Sequence, residues 1–211
     1  MSIPRHKVFI SYYHTDDQYY KNQLINMKMY DNSNKIISIF DDYSVHEHEI
    51  NDEGLSSEQI RRIIRDDYMQ NATVLVLLCG QNTKRRKYID WEIHTAMYHS
   101  DVNPQMGIVV VNLPTIRQLQ RSACEEDKPY FGQGINWITS NRDRTSIEQD
   151  FPYLPSRIVD NFTRSQIYIP VVNWNTIANN PVNLAGIIDV AFNNRYKNDY
   201  DHSAPLRRNN S

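Results

Sequence analysis

The chain has 211 residues, of which 40% are hydrophobic and 23% charged, and its formal net charge is −2. These values predict one soluble globular domain and argue against a nucleic-acid-binding protein, because the basic residues are scattered along the chain. The first apolar run is too short for a signal peptide or a membrane span, and Cys79 and Cys124 form no CxxC pair, so we expect a cytoplasmic protein without a membrane partner.

Apolar runs and helical spacing predict an alternation of strands and helices. In chain order these are a strand at 8–12, a helix from 16 or 17 to about 30, a strand at 36–40, a helix from 56 or 57 to about 68, a strand at 73–78, a helix at about 86–99, a strand at 107–111, a short helix at 156–164, a strand at 167–172 and a helix from 181 to about 195. We expect a single domain over 1–196 and a loose polar tail over 197–211.

The run from Thr73 to Leu78 is apolar at every position, which is typical of a strand buried on both faces in the middle of a parallel sheet. Pro170 removes a backbone donor from the last strand and therefore predicts an edge position for it. Right-handed crossovers then give an α/β, three-layer sandwich with a mainly parallel sheet of about five strands. Ligands bind outside the carboxyl ends of such strands. The segments expected there are Ser11 to His14, Asp41 to Ser44, Gly80 to Thr83, and Asn112.

The third predicted helix places Glu92 among apolar neighbours. At about 100° per residue, Ile89 lies within about 60° of Glu92, and Tyr88 shares the same face. A carboxylate among apolar side chains needs a partner that offsets its desolvation. From spacing alone, Glu92 is either one half of a structural ion pair with Arg85 or Lys87, or a functional carboxylate.

Four blocks of the sequence occur in an order and spacing typical of one known family. They are Val8–Tyr12, Phe40–Ser44, Val74–Gly80 followed by Thr83, and Arg86–Ile93. Together they resemble the TIR-like domain of bacterial Thoeris antiviral defence proteins of the ThsB type. The resemblance covers about residues 6–114, and residues 115–196 look like the remainder of one subgroup, which completes the fold. It implies a flavodoxin-like TIR fold.

The resemblance also implies cleavage of NAD at the nicotinamide–ribose bond. In catalytic TIR domains the glutamate of the third helix is the essential carboxylate, and Glu92 occupies that place. The family usually has tryptophan about four residues before this glutamate; here the residue is Tyr88, which keeps an aromatic ring, and Trp91 stands beside the glutamate. NAD is then the substrate, so we expect no cofactor.

The ends of the strands would supply the rest of the pocket. Tyr12 or Tyr13 would stack on a base or on nicotinamide, Asp41 and Ser44 would bind ribose hydroxyls, and Ser11 belongs to the same set. Each also has a structural interpretation: an aromatic residue of the core or its rim for Tyr12, and a loop cap for Asp41. The GxGxxG pattern of a glycine-rich phosphate loop is absent from the sequence.

Two other signals are weaker. The segment His46-Glu47-His48-Glu49 lacks HExxH spacing and lies in a polar loop, so we interpret it as a solvated loop or a partner contact and expect no metal. The acidic neighbours of Cys124 disfavour the thiolate that a nucleophile needs.

The leading hypothesis is an NAD-consuming enzyme whose product, ADP-ribose or a cyclic isomer, diffuses to a separate effector protein, with self-association through TIR–TIR contacts. The alternative is a non-catalytic TIR adaptor that acts by self-association alone. A phosphoacceptor receiver shares the fold but needs an aspartate at the end of strand three, where this chain has Leu78-Cys79-Gly80. An enzyme related to nucleoside deoxyribosyltransferases is the remaining chemical alternative.

Overall fold

A computed structural model describes residues 3–44, 53–69, 71–99, 104–132, 135 and 142–210. Within these ranges the strands are β1 Lys7–Ser11, β2 Lys28–Tyr30, β3 Ile36–Ser38, β4 Asp41–Asp42, β5 Val74–Cys79, β6 Gly107–Asn112 and β7 Val171–Asn173. The helices are α1 His14–Ile25, α2 Ser57–Ile63, α3 Lys87–Met97, α4 Arg144–Asp150, α5 Ser156–Phe162, α6 Trp174–Asn179 and α7 Pro181–Asn194. A π-helical turn, Ile64–Tyr68, continues α2. Short 3₁₀ turns occupy Thr83–Arg85, Lys128–Tyr130 and Arg195–Lys197.

The central sheet has the order β4-β1-β5-β6-β7, and all of its pairings are parallel. This is the strand order of the flavodoxin-like fold, so the predicted fold class is confirmed. Every residue of β5 is buried, as its unbroken apolar run predicts. The edge position predicted for the last strand is also confirmed, and β7 begins only after Pro170.

Helices cover both faces of this sheet and enclose two separate cores. Alternate strand residues face opposite ways, so Phe9 and Leu75 contribute to the core that contains α2, α3 and α5. Val8 and Ile10 contribute to the other core, together with α1, α6 and α7. The longest helix of the described ranges, α7, has 14 residues, whereas crossing a bilayer takes about 20 apolar residues.

The second parallel strand is not where the sequence predicts it. Residues 36–38 pair antiparallel with β2 in a separate hairpin, and the parallel strand beside β1 is the following pair, Asp41–Asp42. The turn between β2 and β3 depends on Asp31, whose carboxylate accepts hydrogen bonds from the backbone of Ser33 and Lys35. Because β2 uses residues 28–30, α1 ends at Ile25, short of the predicted position.

The predicted loose tail is wrong. The side chains of Tyr200 and Leu206 are buried, with exposed fractions of 6% and 4%, and both belong to the core that contains α3. Two apolar anchors suffice to order a segment that is otherwise polar, because each removes a large apolar surface from water. We call residues 199–210 the C-terminal strap.

Hydrogen bonds join the strap to residues in the first two turns of α3. The indole Nε1 of Trp91 donates to the carbonyl of Arg207 at 2.6 Å, and the backbone N–H of Arg207 donates to Asp90 at 2.9 Å. The side-chain oxygen of Asn210 accepts from the backbone N–H of Lys87 at 2.9 Å, which caps the first residue of the helix. The strap therefore fixes α3 from its outer side.

We predict that Arg157→Met lowers the free energy of unfolding by about 3–5 kcal/mol, because it leaves the carboxylate of Asp90 largely buried without its cation. Arg157 donates to both oxygens of Asp90 at 2.9 Å and is 3% exposed. Urea denaturation measures the change. The matched control is Arg62→Met, which breaks an exposed pair with Glu58 and should cost less than about 1 kcal/mol. Equal losses of unfolding free energy in the two variants would contradict a stabilising buried ion pair between Arg157 and Asp90.

Candidate active site

The carboxyl ends of β1 and β5 form a crevice because the chain leaves them toward opposite faces of the sheet. After β1 it enters α1, which packs on the core of Val8 and Ile10; after β5 it enters α3, which packs on the core of Phe9 and Leu75. Open α/β sheets bind ligands at such a switch point. The site is therefore to be sought between the residues that follow β1 and the face of α3 that looks toward them.

Glu92 faces this crevice and contacts the last residue of β1. The hydroxyl of Ser11 donates to the Oε2 atom of Glu92 at 2.6 Å. Ser11 shares the sheet face of Phe9, two residues earlier, and this alternation directs its side chain toward α3. The distance lies within the normal range for a hydrogen bond between two oxygen atoms. Two residues predicted for the site, Ser11 and Glu92, are thus brought together, with Ser11 buried and Glu92 half-buried.

Tyrosine side chains lie beside Glu92. Tyr88 precedes it by one helical turn on the same face of α3. Tyr68 ends the π-helical turn after α2; burial raises the pKa of its phenol, and the neighbouring acidic groups of Asp67, Tyr88 and Glu92 raise it further. Single π-helical turns are frequent at functional sites. The sequence predicts only that a helix ends near Tyr68, since a π turn leaves no recognisable pattern in one sequence.

The two tyrosines after β1 point to different places. Tyr13 is half-buried, and the guanidinium of Arg86 lies over its ring, with 3.6 Å between the guanidinium carbon and the ring centre. Tyr12 is 9% exposed and packs in the core on the α1 side. Its hydroxyl donates to Gln18 at 2.8 Å, and its ring stacks on His14 at 4.0 Å. Tyr13 therefore lines the crevice, whereas Tyr12 has the structural role left open by the sequence.

Asp41 lies near the amino ends of the strands, whereas Glu92 lies at the carboxyl end of β1. The register pairs Asp41 with Lys7, at the amino end of β1, and its carboxylate forms an ion pair with Arg5. Four residues separate Lys7 from Ser11, or roughly 13 Å of strand. The reason is the displaced second strand, which begins with Asp41 rather than ending before it. The structure therefore does not bring Asp41 to the crevice.

Ser44 and Trp91 are engaged in packing. The hydroxyl oxygen of Ser44 accepts the backbone N–H of Ile10 at 2.9 Å, which extends the edge of the sheet beyond β4. Trp91 is fully buried, and the strap carbonyl of Arg207 accepts its indole N–H. Neighbouring positions on a helix point about 100° apart, so Trp91 faces away from the side on which Glu92 meets β1.

Another carboxylate, that of Asp17, is buried on the α1 side of the crevice. It is 1% exposed and lies so close to Gly80 that a Cβ there would sit 2.6 Å from a carboxylate oxygen. The hydroxyl of Thr83 binds both the backbone N–H of Gly80, at 2.8 Å, and Asp17, at 3.5 Å. Burial, and then the charge of Asp16, raise the pKa of Asp17 from 3.8 to about 6. The sequence predicts that the first helix starts at residue 16 or 17, but α1 already begins at His14, so Asp17 lies inside it.

The weaker chemical signals gain no support in the described ranges. No group of three metal-ligating side chains is found there, and residues 46–49 lie outside those ranges. Cys79 and Cys124 are free and buried. Burial and the nearby Asp127 raise the pKa of Cys124 to about 12, which makes its thiolate inaccessible near neutral pH.

Comparison with known proteins gives one finding. The sequence model of the family described as Thoeris protein ThsB, TIR-like domain, matches residues 9–118, slightly more than half of the chain. The matched segment contains Ser11, Glu92 and the tyrosines between them. No curated protein and no solved structure matches the chain.

We predict that Asp17→Asn flattens the pH dependence of stability. The folded protein holds the Asp17 proton more tightly than the unfolded chain, so this contribution is complete below about pH 4 and is lost as the pH rises through about 6. The loss amounts to roughly 2–3 kcal/mol in the wild type and disappears in the variant. Urea denaturation between about pH 4 and pH 8 measures it against Asp67→Asn, a change at an exposed aspartate. If stability falls with pH in Asp17→Asn as steeply as in the wild type, Asp17 does not have a raised pKa in the folded protein.

Proposed function

The chain belongs to the Thoeris ThsB family of TIR-like domains, and from this membership we propose that it is an NAD-consuming enzyme of antiphage defence, with Glu92 as its catalytic carboxylate. The observation that supports the proposal most directly is the bond of Ser11 to Glu92 at the switch point of the sheet. A carboxylate in a ligand-binding crevice, oriented by a buried hydroxyl, is suited to act on a bound sugar.

The reaction would break the bond between C1′ of the ribose and the nicotinamide nitrogen. The bonding electron pair leaves with nicotinamide, which is neutral once released, so the leaving group requires no proton. The ribose develops positive charge in an oxocarbenium-like transition state, and a carboxylate beside it stabilises that charge. Glu92 would supply the negative charge that stabilises the ribose, and Ser11 would hold the carboxylate of Glu92 in one orientation.

The product depends on which nucleophile reaches C1′. Attack by water gives ADP-ribose, with the water proton released. Attack by an adenine nitrogen or a hydroxyl of the same molecule gives a cyclic isomer instead. We propose that this nucleotide diffuses to a separate effector protein, the arrangement that membership in a Thoeris family favours.

Aromatic side chains would shape the nicotinamide end of the pocket. Tyr13, Tyr68 and Tyr88 stand around Glu92 or Ser11, and aromatic rings offer large faces that stack on planar groups. We propose them as substrate contacts. We leave out Tyr12, Ser44 and Trp91, whose side chains make packing or backbone contacts, and Asp41, which pairs with Arg5. The substrate site that we propose is therefore smaller than the one expected from the sequence.

An exposed apolar pair supports self-association. Tyr30 and Ile36 face each other across β2 and β3, and their exposed fractions are 70% and 64%. Exposed apolar pairs on a hairpin are suited to contact with another protein surface. We predict that the double change Tyr30→Ser and Ile36→Ser weakens assembly at least about tenfold in sedimentation experiments, while Tyr19→Ser, at an exposed residue of α1, has a smaller effect. Unchanged sedimentation contradicts this surface.

We predict that Glu92→Gln reduces the release of nicotinamide from NAD at least about 100-fold, because the amide cannot stabilise positive charge on the ribose. Ser11→Ala should reduce it about tenfold, because the carboxylate loses a partner but keeps its charge. The control is Glu58→Gln, at an exposed glutamate paired with Arg62. Chromatography of the reaction products measures the nicotinamide released by the wild type and by each of the three variants.

The adaptor hypothesis makes the opposite prediction for the same variants. If wild-type protein releases no nicotinamide even under conditions that promote assembly, and Glu92→Gln still protects infected cells, the enzyme proposal fails. Mass spectrometry of nucleotides from infected cells then tests for a product in the cell. Nucleoside substrates in the same assay distinguish NAD cleavage from deoxyribosyl transfer.

A further inference from the structure

The guanidinium of Arg86 lies at the crevice, and among the described residues it has no anionic partner. Its carbon sits 3.6 Å from the centre of the Tyr13 ring, and its Nε atom is buried with no hydrogen-bond acceptor. Across the described part of the chain, no carboxylate forms an ion pair with Arg86. A buried donor of this kind is rare in folded proteins, because an unmade hydrogen bond to a charged group is costly.

Three other buried or half-buried cations around the start of α3 are already engaged. The ammonium of Lys84 donates to the carbonyl of Pro152 at 2.6 Å, and a guanidinium nitrogen of Arg207 donates to the carbonyl of Lys84. Arg157 donates to both oxygens of Asp90. The unused donors of Arg86 therefore do not reflect a general excess of positive charge at this end of the helix.

Arg86 and Glu92 bracket the same opening. Arg86 is the residue before α3 begins and stands six positions, or about 9 Å of helix axis, from Glu92. Each contacts a residue at the end of β1: Arg86 lies over Tyr13, and Glu92 accepts from Ser11. Two contacts thus join the region at and after the end of β1 to the start and the first turns of α3, one through the guanidinium of Arg86 and the other through the carboxylate of Glu92.

A dinucleotide such as NAD carries charges that are complementary to those of Arg86 and Glu92. Its pyrophosphate is negative, while the nicotinamide–ribose end is positive and becomes more so at C1′ as the bond breaks. We propose that Arg86 is a phosphate-binding residue of this site, which takes the pyrophosphate while Glu92 faces the ribose. Arginine suits this task because its planar fork of donors matches two phosphate oxygens. The choice of a dinucleotide rests on the proposed function, whereas the phosphate contact rests on Arg86 itself.

The packing around Arg86 prepares it for an anion. The ring of Tyr13 holds the guanidinium in place, so binding does not have to order a free side chain. The first backbone N–H of α3, that of Lys87, is already taken by Asn210 of the strap. The contact with the phosphate therefore falls to Arg86 rather than to the first residue of the helix.

Calorimetric titration with ADP tests the phosphate contact without requiring catalysis. We expect Arg86→Gln to raise the Kd for ADP about 10- to 100-fold, Arg86→Lys to raise it less, and both to bind adenosine as the wild type does. The matched control is Arg85→Gln, at the adjacent, exposed arginine, which should leave both affinities unchanged. The proposal is overturned if wild-type protein does not bind ADP at millimolar concentration, if Arg86→Gln binds it normally, or if adenosine is weakened equally.

Turnover of NAD separates this proposal from the proposed function. If NAD is cleaved, Arg86→Gln should raise KM about 10- to 100-fold and change kcat less than about threefold, because the phosphates do not react. A fall in kcat with an unchanged KM contradicts a binding role. If wild-type protein cleaves no NAD but binds ADP in an Arg86-dependent manner, the enzyme proposal fails and the phosphate site stands.

Discussion

The buried central strand β5 is the constraint from which the rest of the structure follows. All six of its residues are buried, so neither face can be left to solvent, and helices must cover both. The chain segments that leave β1 and β5 accordingly diverge, with α1 on one face and α3 on the other. A crevice opens between them without any dedicated pocket-forming element. The candidate site is thus a consequence of covering a two-sided apolar sheet.

Helix α3 is held from two sides, and neighbouring residues of the helix make the contacts on each side. On the sheet side, Glu92 accepts the hydroxyl of Ser11. On the outer side, Asp90 and Trp91 bind the C-terminal strap. Successive helical positions point about 100° apart. Asp90 and Trp91 can therefore bind the strap while the next residue, Glu92, faces the crevice. A rigid helix is the right support for a carboxylate that must keep one orientation relative to a sugar.

The sequence predicts those features that depend on apolar periodicity, and it loses those that depend on pairing between distant segments. The strand over 73–78 and the helix of Glu92 follow from local pattern, and so does the fold. Asp41 is not at the carboxyl ends of the strands, where the sequence predicts it, because an antiparallel hairpin shifts the start of the parallel strand by a few residues. Trp91 looks available in the sequence only because nothing local reveals that a segment more than a hundred residues later covers it.

The polar groups of the crevice share one physical setting, in which burial disfavours charge unless a partner is supplied. Asp17 shows the effect, since burial raises its pKa to about 6. Glu92 differs from it, because its carboxylate accepts a hydrogen bond from the hydroxyl of Ser11 at 2.6 Å. Arg86 rests on an aromatic face, which stabilises a cation without neutralising it. The crevice thus carries a carboxylate on α3 and a guanidinium on the residue just before this helix, an arrangement suited to a ligand that carries both signs of charge.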